Sequence, residues 1–79
     1  MDRNEVLVKL TEICEDVFEI DNLTLTFETT AEDIEEWDSL SHLSLLNEVE
    51  SEYGFKFTMA EIQALKNIGD LVDTVIKHV

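Results

Sequence analysis

The residues of this chain that could do chemistry gather in Glu36-Trp37-Asp38-Ser39-Leu40-Ser41-His42-Leu43. One chemistry is nucleophilic: His42, a helical turn beyond Ser39, would take the proton of the hydroxyl. A working dyad also needs a group that orients the imidazole and donors for the oxyanion. Neither is evident here, and His42 is expected to face solvent. The second chemistry is attachment. Asp38 is a strong N-cap candidate, because its carboxylate accepts from the unpaired amides of a first helical turn. Ser39 is then the first helical residue, exposed at the positive end of the dipole. A phosphate ester on that hydroxyl would sit where helix amides favour negative charge.

The remaining candidates are weaker. Cys14 lies on an apolar helical stripe, where a buried free cysteine is an ordinary core residue rather than a nucleophile. His78 sits near the C-terminus and carries no motif. The segment Glu32-Asp33-Ile34-Glu35-Glu36-Trp37-Asp38 is rich in carboxylates but lacks the alternating ligands and central glycine of a calcium loop. There is no phosphate-binding glycine loop and no zinc-like Cys/His spacing, so no metal site is expected.

The elements that must position Ser39 follow from periodicity. A first helix is expected from near Asp2 to near Phe18, with a capping-box spacing from Asp2 to Glu5. Val6, Leu7, Leu10, Ile13, Cys14, Val17 and Phe18 fall on one of its faces. Leu23-Thr24-Leu25-Thr26-Phe27 alternates like a strand, but no convincing second strand follows to pair with it. An extended loop pinned by Leu23, Leu25 and Phe27 is expected, with a strand as the alternative. Ala31 to Glu36 is expected to form a short helical turn, anchored by Ile34 and Trp37. The second helix spans Ser39 to about Tyr53, with Gly54 ending it. Its Leu45, Leu46, Val49 and Tyr53 suit a core face. Leu40 and Leu43 are either core or part of an exposed docking patch. Thr58-Met59-Ala60-Glu61 is a capping box that opens a brief third helix carrying Ile62 and Leu65. Asn67 and Asp70 open a last helix with Leu71, Val72, Val75, Ile76 and Val79 as its stripe. The expected fold is all-α: a small four-helix bundle with three main helices, one short third helix and a long loop between helices 1 and 2.

Seventy-nine residues, 44% of them hydrophobic, suffice for one small globular domain, 1–79, but leave little room for an active-site cleft. Absence of proline, with two glycines, favours helices over a many-turned β fold. Nineteen acids against five bases give a net charge of −14. That sign opposes nucleic-acid binding and points to basic partner surfaces and salt-sensitive encounters. One cysteine allows no internal disulfide, and neither a membrane span nor a signal pattern stands out. A cytoplasmic monomer is expected.

Asp38-Ser39-Leu40 at a helix start resembles the attachment motif of acyl carrier proteins. The likeness continues through Leu43, Glu48-Val49-Glu50-Ser51-Glu52-Tyr53-Gly54 and Asn67-Ile68-Gly69-Asp70-Leu71-Val72, and so covers nearly the whole chain with its length and acidity. The resemblance implies a non-catalytic carrier. Ser39 would bear a 4′-phosphopantetheine arm, installed from coenzyme A by a phosphopantetheinyl transferase with magnesium. The arm's thiol would hold acyl groups as thioesters. Asp38 would serve both as cap and in transferase recognition. The helix after the serine would meet partners, with Leu40, Leu43, Asn47, Glu48 and Glu50 as docking candidates opposite basic surfaces of acyl-loading and acyl-processing enzymes.

Where many fatty-acid-synthesis carriers have glycine two residues before the Asp, this chain has Glu36. The run from Trp37 to Leu43 looks more like free-standing carriers of specialised pathways such as polyketide, lipid-modification or surface-polysaccharide synthesis. An acyl chain could shelter between the helices. The alternatives are a peptidyl or aminoacyl carrier, an acidic helical adaptor or inhibitor that is never modified, and a small divalent-cation binder.

Overall fold

In the computed structural model, residues 2–79 are described. Among them the chain forms four α-helices, one 3-10 turn and no strand. The helices are α1 (Arg3–Phe18), α2 (Ser39–Tyr53), α3 (Met59–Ala64) and α4 (Ile68–His78), and the turn is Ala31–Asp33. This is the all-α bundle expected, with α3 the short helix and a long connection between α1 and α2. No helix of the described residues is long and apolar enough to cross a membrane.

The core is built by α1 packing against both α2 and α4. Val6, Leu10, Ile13, Cys14 and Phe18 of α1 are buried against Leu45, Leu46 and Val49 of α2 and Ile68, Leu71, Val72 and Val75 of α4. Cys14 is a core residue, and burial pushes its thiol up to about 12. An α1 anchored on two sides gives α2 a fixed base, so its first turn can protrude without loosening the helix.

The alternating Leu23–Phe27 segment is an extended loop. Leu25 is buried and Leu23 and Phe27 are half-buried, as the alternation implies, but the ladder groups pair elsewhere. The Leu23 amide donates to Glu15 Oε2 at 2.9 Å. Two further bonds tie the loop to the start of α4: Ile68 N–H donates to the Thr29 carbonyl at 2.9 Å and Gly69 N–H to the Phe27 carbonyl at 2.7 Å. Position 69 requires glycine, since a Cβ there would lie 2.7 Å from the Phe27 carbonyl oxygen. The loop is thereby fastened on the side where it delivers the chain to Ser39.

Local details depart from the sequence expectations. The Asp2–Glu5 capping box does not form; Asp2 Oδ1 accepts instead from the Asn4 amide at 2.9 Å. The turn expected over Ala31 to Glu36 stops at Asp33, whose carboxylate accepts from the Thr30 amide at 2.9 Å. Val79 is exposed rather than part of the α4 stripe. His78 is not inert: its Nε2 lies 2.8 and 2.9 Å from the two oxygens of Glu61, and its ring stacks on Phe55 with centroids 4.5 Å apart. That contact fastens the end of α4 to the start of α3, a long-range pairing with no sequence signature.

Candidate functional site

The start of α2 is a reciprocal capping box. Asp38 Oδ1 accepts from the Ser41 amide at 2.9 Å, and the Ser41 hydroxyl accepts from the Asp38 amide at 2.8 Å. The same Ser41 oxygen lies 2.9 Å from the Glu36 carbonyl, to which it donates. The Ser41 amide, followed by its hydroxyl, holds the Asp38 carboxyl below the usual carboxylate range. Ser41 completes the cap that positions Ser39, a role the sequence reading did not assign to it. Its signal was the Asp-x-x-Ser spacing, in which a hydroxyl takes the place of the usual Glu or Gln of a capping box.

With its neighbours on both sides so occupied, Ser39 is the first residue of α2, exposed and without a hydrogen-bond partner among the described residues. Beside it opens a cleft of about 390 Å³, lined by Ala31, Trp37, Asp38, Ser39, His42, Leu65, Lys66, Asn67 and Leu71. The cleft lies between the loop before α2, the first turns of α2 and the α3–α4 connection. Neither its existence nor its far wall is readable from local sequence, since Leu65 to Leu71 come from the other end of the chain.

His42 is not the solvent-facing residue expected. It is half-buried, its Nδ1 accepts from Trp37 Nε1–H at 3.0 Å, and the two rings stack with centroids 6.0 Å apart. Burial lowers its pKa. An imidazole whose Nδ1 is occupied by an indole has no carboxylate to orient it, so the pair is a wall of the cleft, not a dyad. On its other side Trp37 meets Phe18 of α1 at 5.7 Å between centroids, so it anchors the loop to the core as expected but is half-buried, with part of it lining the cleft.

The docking candidates separate. Leu40 and Leu43 are 79% and 58% exposed, which settles them as surface rather than core. Asn47 and Glu48 are exposed farther along α2. Leu40, Leu43 and Asn47 recur at three- and four-residue steps, so they share one face. Glu50 is placed differently. Its side chain is 14% exposed, its Oε2 accepts from the Phe57 amide at 2.8 Å and its Oε1 pairs with Lys56 at 3.8 Å. It organises the α2–α3 connection instead of offering its charge outward. Among the described residues, no group of three or more His, Cys, Asp or Glu is gathered as for a metal ion.

The likeness to known proteins extends over most of the chain. The phosphopantetheine attachment site family matches residues 8–75. The chain belongs to the acyl carrier protein family. An acyl carrier protein of Rubrobacter xylanophilus is 32% identical over 78 residues, covering 99% of this chain and 96% of the relative. One of Coprothermobacter proteolyticus is 28% identical over 75 residues, covering 95% and 92%. The solution structure of a holo acyl carrier protein from Geobacter metallireducens superimposes with a TM-score of 0.85 at 51% identity, covering 90% of this chain and 82% of that one.

The function of the chain is therefore that of an acyl carrier, and its cofactor is covalently attached phosphopantetheine. An acyl carrier works with a phosphopantetheinyl transferase and with partner enzymes. The residues at the start of α2 fit the group. The Ser39 hydroxyl is unencumbered, and the adjoining cleft combines apolar walls from Trp37, Leu65 and Leu71 with polar groups from Lys66 and Asn67. That lining suits an arm built of methylenes and amides.

Proposed function

We propose that Ser39 is the residue of this carrier that bears 4′-phosphopantetheine, and that the first turns of α2 are the surface its partners read. The observation that carries the reading is the exposed Ser39 hydroxyl, free of hydrogen bonds at the first position of α2 and next to the cleft. When attached, the arm supplies a terminal thiol that holds an acyl group as a thioester. Asp38 has two roles: it fixes the helix start, and its ionised carboxylate faces the transferase. Leu40, Leu43 and Asn47 form the apolar and amide part of the docking face, and Glu48 adds charge toward Arg and Lys of the partner. The net charge of −14 steers those encounters, which stay fast and reversible because few contacts are desolvated. Tethering raises the effective concentration of the acyl group at each docked active site.

The chain acts as a single carrier domain and a monomer, performs no catalysis itself, and works in the cytoplasm with access to coenzyme A. Trp37 and the serines at 41 and 44 favour service in a specialised pathway; the thioester isolated on the protein from its host identifies which.

The test is loading. The apo protein is incubated with coenzyme A, magnesium and a broad-specificity phosphopantetheinyl transferase, and its intact mass is measured. One phosphopantetheine is expected on the wild type and none on Ser39→Ala. An unmodified wild type, where a control carrier is modified, contradicts the reading.

A further inference from the structure

Two residues that line the cleft beside Ser39 carry side-chain donors with no acceptor among the described residues. Of the five Lys and Arg residues, four are in ion pairs: Arg3 with Asp73, Lys9 with Glu12 and Glu52, Lys56 with Glu50, and Lys77 with Glu61. Lys66, which lines the cleft, has no carboxylate within ion-pair distance among the described residues, in a chain that carries nineteen acids. Its backbone amide is engaged, donating to Asp70 Oδ2 at 3.0 Å, which fixes the root of the side chain at the cleft edge.

The second donor is His42. An indole N–H only donates, so the Nδ1 that receives it at 3.0 Å carries no proton. The proton of the neutral ring is then on Nε2, and no described residue accepts from it. Trp37, held in place by Phe18, thus selects the tautomer of His42 that presents a donor.

We propose that Lys66 and His42 form an anion subsite that holds the phosphodiester joining the arm to Ser39, with Trp37 as the positioning residue that sets the His42 tautomer. This rests on the attachment reading above. A phosphodiester carries one negative charge on two non-bridging oxygens, enough to accept from both donors at once. The charged residues lining the cleft that His42 lines are Asp38, at the start of its own helix, whose Oδ1 is taken by the Ser41 amide, and Lys66 from the α3–α4 connection. The 3-10 turn and α4 contribute only Ala31 and Leu71 to this wall. An anion seated there favours the charged form of His42, opposing the burial that lowers its pKa. The subsite directs the root of the arm along the cleft instead of leaving it free to rotate in solvent.

The test uses the full chain, loaded from coenzyme A and checked by intact mass. Phosphorus-31 and histidine-ring spectra are recorded from about pH 5 to about pH 8, where an imidazole titrates. In the wild type the phosphorus resonance is expected to move with the same midpoint as His42, and that midpoint is expected to lie higher in the loaded than in the unloaded protein. Lys66→Gln shifts the resonance, His42→Phe abolishes its pH dependence, and Lys77→Gln, remote from the cleft, changes neither. In Trp37→Phe, ring nitrogen shifts report a mixture of tautomers. Lys66 is exposed, so its substitution leaves the fold intact. A phosphorus resonance that is independent of pH in the wild type and identical in Lys66→Gln overturns the subsite while leaving attachment standing. Absence of the added mass overturns both.

Discussion

Helices α2 and α3 begin with the same local device and put it to opposite uses. Each start is a reciprocal capping box. In α3, Thr58 Oγ1 accepts from the Glu61 amide at 3.1 Å, and Glu61 Oε1 accepts from the Thr58 amide at 2.9 Å. The carboxylate at the third helical position then gathers His78 at 2.8 Å and Lys77 at 3.7 Å, so the start of α3 is closed over by the end of α4. In α2 the third position is Ser41. Its hydroxyl completes the box and reaches back to the Glu36 carbonyl, but a neutral group recruits no cation. Among the described residues no ion pair closes over the first turn, and Ser39 and Leu40 stay exposed. The two starts thus differ at their third position, a carboxylate joined to the end of α4 in one and a hydroxyl turned back on its own loop in the other.

The largest expected effect on stability separates the two caps. Asp38→Ala removes the acceptor for the first turn of a core helix and is expected to cost about 1–2 kcal/mol in urea unfolding. Thr58→Ala, at a six-residue helix also held by His78, is expected to cost about 1 kcal/mol or less. Asp38→Asn sharpens the comparison. It keeps an N-cap acceptor, so stability should stay within a few tenths of a kcal/mol, while the rate of loading by the transferase falls. An unchanged loading rate would remove the second role of Asp38.

The closed start should respond to acid. The Thr58 amide first, then His78, hold Glu61 at about 2, below its ordinary 4.5. A carboxyl depressed in the folded state contributes stability above its unfolded value, and that contribution is lost as pH falls from about 4.5 toward about 2. Thermal melts should therefore show Glu61→Gln less stable than the wild type at pH 7, with the gap narrowing at pH 3. A gap that is constant with pH would mean that Glu61 is not held as described.

The wall of the open start contributes on a similar scale to the cap of α3. The indole–imidazole bond contributes about 0.5–1.5 kcal/mol, and Trp37→Phe should lose it. His42 has its pKa lowered by burial, so the folded state prefers the neutral ring. That preference is fully present above the unfolded value of about 6.5 and is lost as pH falls from there toward the folded-state pKa. Ring titration in the wild type and in Trp37→Phe should show a higher pKa in the variant, since protonating Nδ1 no longer breaks a bond.

What was legible in the sequence is what helical geometry writes locally. The stripes Val6–Phe18 and Leu71–Ile76, the caps at Asp38, Thr58 and Asn67, and the terminal Gly54 are all set by neighbours within one or two turns. Ser39 was legible because a cap fixes the residue after it. What was not legible depends on contacts between distant segments or on side-chain direction. The exposure of Leu40 and Leu43 depends on which face of α2 the other helices cover, and the inward turn of Glu50 depends on the Phe57 amide seven residues on. The Trp37–His42 pair spans a helix start, where no periodic rule applies. The cleft needs Leu65 to Leu71 to fold back beside Ser39, and the packing of α4 on α1 together with the loop bonds to Ile68 and Gly69 holds them there.

The open start of α2 is held to present one hydroxyl, and locating the modification within the chain tests this. The loaded protein is cleaved, and the fragment carrying phosphopantetheine is sequenced by tandem mass spectrometry, alongside Ser39→Ala treated identically. The arm is expected on Ser39 alone and not on the variant, whose unfolding midpoint matches the wild type. Modification at Ser41, Ser44 or Ser51, or loading of Ser39→Ala, would contradict it.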